Sequence, residues 1–213
     1  MDATSAIFYI AILIMSVVIH EVSHGFIAER FGDKTARFAG RLTLNPIKHL
    51  DIFGSVLLPA LLVLTSSPIL FGWAKPVPYN PNNLSNRKWG EIAVASAGVM
   101  ANFLIAIIFG LLIRIAPFLG FPLYDVLSPH PFYQITFIIV ALNIGLGIFN
   151  LIPIPPLDGS KILFNLLPRS FNNVINFIET YSFILIIAFI LFFSNFLYPV
   201  LQFLFHLITG LYL

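Results

Sequence analysis

The chain has no cysteine and very little charge: 9% of its 213 residues are Asp, Glu, Lys or Arg. Without thiols it can form no disulfide framework, no thiolate zinc site and no cysteine nucleophile. Soluble domains carry about 25% charged residues, so this composition cannot cover a water-facing surface. The net charge is only +2, and the basic residues sit in loops, as topology signals rather than as a nucleic-acid surface. Internal repeats, low-complexity tracts and linker-like runs are also absent. The length suits one compact unit, residues 1–213, with no room for an added soluble domain of typical size. The first apolar run has neither a basic start nor an A-x-A cleavage site, so it reads as a retained span and not as a signal peptide.

What remains is apolar. Hydrophobic residues make up 59% of the chain and 23 residues are Phe. Apolar stretches fall at roughly 5–28, 53–71, 90–116, 132–155, 174–193 and 196–213; a helical crossing needs about 20 such residues. The first, third, fourth and fifth qualify, while Pro199, Gln202 and His206 interrupt the sixth. In the second, the apolar core Val56–Leu64 contains Pro59 and runs into Thr65-Ser66-Ser67-Pro68, which favours a re-entrant segment. Charge counting agrees. If 53–71 re-enters, Arg30, Lys34, Arg37, Arg41, Lys48, Lys75, Arg87, Lys88, Lys161 and Arg169 share one side and only Arg114 lies near the other. If it crosses, the split is six against five, which the positive-inside rule does not favour. The expected fold is therefore an all-α polytopic membrane protein with about five to six transmembrane helices and one re-entrant segment. Its N-terminus lies outside and its basic loops face the cytoplasm of a prokaryotic cell. Residues 37–46 and 72–81, with partial alternation and edge-type prolines, read either as a small membrane-associated β-ribbon or as proline-rich loops. A ribbon edge would accept an extended peptide by strand addition.

The chemistry sits in the first span. His20-Glu21-Val22-Ser23-His24 lies about two-thirds of the way along the apolar run Ala6–Phe31. H-E-x-x-H on a helix puts both imidazoles on one face, where they can share a metal ion, with the Glu as general base on the attacking water. Imidazoles and a carboxylate are costly in lipid and mark a functional site by default. The bland alternative, a polar cluster gluing helices together, would be an expensive use of three such residues.

A catalytic zinc site usually has three protein ligands and one open position. Candidates near span ends are Asp158, His49, Glu91 and Asp125. Asp158 follows Asn150-Leu151-Ile152-Pro153-Ile154-Pro155-Pro156-Leu157, where three prolines break the helix begun near residue 132. Irregular backbone at membrane depth is tolerated only inside protein or along a wet cavity. With 53–71 re-entrant, the first and fourth stretches run in the same direction, bringing Asp158 to the depth of the histidines. A crossing at 53–71 would put it about 30 Å away. Asp158 as a simple helix cap and Asn102 as packing glue after Gly98 are the competing structural readings, as is Asn150 satisfying backbone freed by Pro153. His49, His130 and His206 read as loop or interfacial histidines. Trp73, Trp89 and the tyrosines read as interface anchors.

These residues resemble the site-2 proteases, zinc metalloproteases that cut substrates within the membrane. The resemblance rests on His20–Gly25, Gly98–Asn102 and Asn150–Gly159, joined by Asn45–Asp51 and Gly54–Pro59. It covers most of residues 15–165 in the expected order; beyond about 170 the match is only hydrophobic. The resemblance implies that His20, His24 and Asp158 bind one Zn2+ and that Glu21 is the catalytic base. It also implies that Asn102 and Asn150 hold the substrate strand or its oxyanion. The chain looks like a compact form lacking PDZ and CBS domains, with a catalytic core at about 5–165 and C-terminal hydrophobic helices at about 171–213. The expected partners are the bilayer and a transmembrane protein or remnant signal peptide whose helix unwinds easily. The alternative is a catalytically inactive relative that binds membrane proteins without cleaving them, against which the intact Glu21 speaks. A zinc or ion transporter is the weakest reading, since the outer halves of the long helices are almost wholly apolar and no repeat appears.

Overall fold

The structure, a computed structural model, describes residues 3–57, 61, 74–125 and 130–212. Its helices are α1 (Ala3–Arg30), α2 (Thr35–Phe38), α3 (Arg87–Ile115), α4 (Pro131–Asn150), α5 (Asp158–Leu166), α6 (Asn172–Thr180) and α7 (Ser182–Thr209). Their ends follow local chemistry. Asn86 caps α3 by accepting the Trp89 N–H, and His130 caps α4 by accepting the Phe132 N–H with Pro131 in the first turn, both relieving orphan N–H groups. Helix α4 stops at Asn150, where Pro153, Pro155 and Pro156 cannot donate, and residues 151–157 turn before α5 begins.

Helix α3 is the centre of the bundle, packing on α1, α4, α5 and α7. Its inward face carries small residues, among them Gly90, Ala97, Gly98, Ala106 and Gly110, which let neighbouring backbones approach closely. One core joins Ala106 and Ile113 of α3 with Tyr133, Val140 and Ile144 of α4 and Phe205 of α7. A smaller one joins Ala28, Leu84 and Val94. Outward faces are apolar too: Ile7 and Phe8 on α1, Met100 and Leu104 on α3, and Phe183 and Phe192 on α7 are exposed. Such a surface is stable only against lipid. With helices long enough to cross, this makes the chain an integral membrane protein.

The five to six spans expected from the sequence are not all found among the described residues. Among the described residues three helices are long and apolar enough to cross, or four if the pair 169–180 and 182–193, bent by 73°, is one span. The fifth apolar stretch is divided between α6 and α7, and α7 continues into the sixth with Pro199 inside it. Of the two readings of residues 37–46 and 72–81, the β-ribbon does not appear among the described residues, none of which forms a strand; residues 72 and 73 lie outside them. Pro76, Pro78 and Pro81 offer no N–H for a ladder. The donors that remain go elsewhere: Lys75 N–H to His49 O (2.9 Å), Val77 N–H to Glu21 Oε2 (2.9 Å) and Asn80 N–H to Asp33 Oδ2 (2.7 Å). The 53–71 stretch lies largely outside the described residues. Its flanks are described, and Ser85 N–H donates to Phe31 O at 2.7 Å, so the chain returns before α3 to the end of the bundle where α1 finished.

Candidate metal centre

Helix α1 carries His20 and His24 one turn apart, both buried and both facing α3. His20 occupies the space left by Gly98: a Cβ built there would lie 2.6 Å from ring atoms of His20, so a side chain on α3 would displace the imidazole. Asp158, the first residue of α5, is held against them because Gly159 packs directly on the backbone of Leu151 and Ile152. A larger residue at 159 would push the start of α5 away from α1.

The three ligating atoms converge. His20 Nε2 is 3.1 Å from Asp158 Oδ2, His24 Nε2 is 3.2 Å from the same oxygen, and the two Nε2 atoms are 3.1 Å apart. Tetrahedral zinc with bonds of about 2.0 Å holds its ligand atoms about 3.3 Å apart. Protonation makes the case stronger. His24 Nδ1 lies 2.6 Å from the Val94 carbonyl oxygen, which only accepts, so Nδ1 carries the proton. His20 Nδ1 lies 2.6 Å from Asn102 Oδ1, with the same consequence. In the neutral rings both Nε2 atoms therefore point lone pairs at a carboxylate oxygen that is itself buried without a hydrogen-bond donor. Three unprotonated acceptors facing one another are unfavourable unless a cation lies among them. The donor set, two imidazoles and one carboxylate, is the set zinc takes in hydrolytic sites. The described residues bring together no other such group of three His, Cys, Asp or Glu.

The other third-ligand candidates lie elsewhere. His49 is buried and its Nε2 donates to Thr43 O at 2.8 Å. Glu91 accepts from Arg87 Nε (3.0 Å) and Asn165 Nδ2 (3.0 Å), and Asp125 has its own partner. His130 caps α4, and His206 stacks on Tyr212 with centroids 4.1 Å apart. Glu21 is adjacent to His20, and its Oε2 accepts the Val77 N–H. Asn150, at the end of α4, donates Nδ2 to Leu146 O at 2.9 Å. Asn102 is fully buried behind His20, and its Nδ2 donates to Asn143 Oδ1 at 2.8 Å.

Reading the sequence for charge and motif missed Asn143, Ser16 and Val94, which stand behind the histidines. A buried Asn in the middle of a membrane helix was the available signal for the first of these. Tyr79, read with the other tyrosines as an interface anchor, follows the segment bonded to Glu21. Burial raises its hydroxyl to about 12, with the negative charges of Glu91 and Asp158 adding to the shift.

Comparison with known proteins bears on the same residues. No solved structure gives a significant match. Among curated proteins, "Putative zinc metalloprotease YwhC" of Bacillus subtilis is 36% identical over 178 residues, covering 83% of this chain and 76% of its own length. "Putative zinc metalloprotease Rip2" of Mycolicibacterium smegmatis is 31% identical over 72% of this chain and 54% of its own length. "Zinc metalloprotease MJ0392" of Methanocaldococcus jannaschii is 26% identical over 75% of this chain and 34% of its own length. The model of peptidase family M50 matches residues 8–124 and 126–194, taking in both histidines, Glu21 and Asp158. The chain therefore belongs to peptidase family M50, the site-2 protease family.

Proposed function

We propose that the protein is an intramembrane zinc metalloprotease that hydrolyses peptide bonds within or near membrane spans. The observation that carries this reading is the meeting of His20 Nε2, His24 Nε2 and Asp158 Oδ2 within 3.2 Å of one another, with acceptors at both Nδ1 atoms. Membership of family M50 and the zinc metalloprotease names of its relatives support it.

His20, His24 and Asp158 would hold one Zn2+ per chain. Bound there, zinc lowers the pKa of water toward about 7 and polarises a carbonyl oxygen. Glu21, one residue from the first ligand, takes the proton of the attacking water and delivers it to the leaving amine. Its carboxylate is kept in place by the Val77 N–H, so the base is oriented before substrate arrives. Asn150 stands where the chain leaves α4 for the Asp158 turn, and it is the amide we assign to the substrate strand or its oxyanion. Asn102 is enclosed between His20 and Asn143, and we assign it to the histidine instead.

The substrate must present an extended backbone, because a helical amide is shielded by its own hydrogen bonds. A single-span protein or remnant signal peptide with a weak helix meets that need. The gathering of Lys and Arg in loops on one side supports an active site nearer the cytoplasmic side with the N-terminus outside, and the compact form fits a prokaryotic cytoplasmic membrane. The test is zinc per chain in detergent-purified protein, wild type beside Asp158→Ala, followed by cleavage of model spans by wild type and Glu21→Gln. About one zinc in wild type, much less in Asp158→Ala, and cleavage lost with Glu21→Gln are expected. Zinc-free wild type overturns the proposal, and bound zinc without cleavage points to the inactive relative.

A further inference from the structure

The two histidines obtain their protonation states in different ways. His24 has a direct instruction, because the Val94 carbonyl at its Nδ1 is an acceptor in every circumstance. His20 faces the side-chain amide of Asn102, which offers an acceptor at one end and a donor at the other. Turned over, Asn102 would present Nδ2 to His20 Nδ1, draw the lone pair there and move the ring proton to Nε2, into the cluster of ligating atoms. Something must hold this amide the right way round.

We propose that Asn143 is a positioning residue for the metal centre, acting through Asn102 to keep the His20 proton on Nδ1. The inference rests on the metalloprotease reading and adds a residue to it. The assignment starts from a fixed point. Asn143 Nδ2 lies 2.9 Å from the Ile139 carbonyl oxygen of its own helix and 2.9 Å from Ser16 Oγ on α1. Backbone carbonyls only accept, so this end of the amide is the NH2 group and the other is Oδ1. Asn143 Oδ1 in turn lies 2.8 Å from Asn102, which must offer its own NH2 there. That leaves Asn102 Oδ1 toward His20 at 2.6 Å, and an acceptor at this position requires Nδ1–H. A backbone carbonyl in α4 thus sets the tautomer of a ligand in α1 through two amides on α4 and α3. Asn102 and Asn143 are both 0% exposed and Ser16 is 4% exposed, so bulk solvent does not reach either amide.

Buried asparagines between membrane helices are commonly interhelical glue, and the experiment separates the two roles. Zinc affinity of the full-length protein in detergent is measured by competition with a chromogenic chelator. Asn143→Ala frees Asn102 to turn over, and affinity falls about 10–100-fold, the usual cost of losing an outer partner of a metal-ligating His. Adding Asn102→Asp restores it to within a few-fold of wild type, because a carboxylate has no donor end to present. Packing glue predicts no rescue in the double variant, and that result overturns the proposal, as does wild-type affinity in Asn143→Ala. If Asn143→Ala does not fold, imidazole 15N shifts of zinc-free wild type decide. Neutral His20 protonated at Nδ1 is expected, and protonation at Nε2 overturns the proposal. Absence of zinc binding in wild type itself would instead count against the metalloprotease reading on which this one stands.

Discussion

Helices α1 and α7 are each 28 residues long and overwhelmingly apolar, yet they do different things. On α1, Ser16, His20 and His24 form a buried polar line facing α3, α4 and Asp158. On α7 the described buried side chains include Phe205 and Thr209, and most of the remaining surface is exposed to lipid. Hydrophobic length makes a segment suitable for the membrane and leaves its role open. The role is set by a few polar positions at helical spacing, each costly in lipid unless another helix satisfies it.

The widest separation between the two helices is in chemistry. Glu21→Gln on α1 keeps the shape of the side chain and its capacity to accept from Val77, but removes the proposed base. Cleavage of a model span should fall about 10²–10⁴-fold with zinc content unchanged. Replacing an exposed α7 residue such as Phe192, 72% exposed, by Leu should leave the cleavage rate as it was. An equal loss from both substitutions would break the comparison.

The next contrast lies within α7. Phe205 is 0% exposed, wedged among Ala106, Val140 and Ile144, with its ring 5.1 Å edge-on from that of Phe137. Phe205→Ala should cost about 3–5 kcal/mol by the usual core truncation, read as a lower denaturation midpoint in detergent. Phe192→Ala should stay within about 0.5 kcal/mol. Zinc bound per folded chain should not change in either, because α7 supplies no ligand.

This contrast also explains what the sequence could and could not disclose. H-E-x-x-H and the proline-broken run ending at Asp158 were legible because their chemistry is tied to short-range spacing. The meeting of Asp158 with the α1 histidines followed from the depth argument, and Asp158 Oδ2 does lie within 3.2 Å of both Nε2 atoms. The bend between α6 and α7 and the single helix through residues 194–196 were not, since apolar runs are continuous in hydropathy whether or not the helix turns. The ribbon reading of 37–46 and 72–81 assumed that free N–H groups seek another strand. The side chains of Glu21 and Asp33 and the His49 carbonyl took them instead, and nothing in local sequence says that Val77 will meet a carboxylate 56 positions earlier. The partners behind the histidines were hidden for a similar reason: Asn143 and Ser16 are separated by 127 positions, and neither belongs to a short-range motif.

The smallest contrast concerns how the two helices are fastened where they end. After α1, Asp33 is fully buried and gathers the loop that bears the Glu21 contact. Its Oδ1 accepts from Thr35 Oγ1 (2.5 Å) and Asn83 Nδ2 (2.9 Å), and its Oδ2 from Asn80 N–H (2.7 Å). Burial works against the charged form, but these hydrogen bonds outweigh it and hold the carboxyl below its ordinary 3.8. A depressed folded pKa contributes stability that is present above the unfolded value and lost as pH falls through the folded one. Asp33→Asn should therefore cost about 1–3 kcal/mol near neutrality and remove part of the acid-side fall in stability below about pH 4. At the end of α7 the fastening is Arg114, an exposed contact whose Nε and Nη2 donate to Ile208 O (2.8 Å) and Leu207 O (2.5 Å). Arg114→Met should cost about 1 kcal/mol or less, typical of a helix C-terminal cation near the surface, with no change in the acid-side slope. Denaturation midpoints of both variants from pH 3 to pH 8 test the pair. A larger loss near neutral pH for Arg114→Met than for Asp33→Asn would mean that the apolar helix, and not the loop beside Glu21, is the better-anchored element.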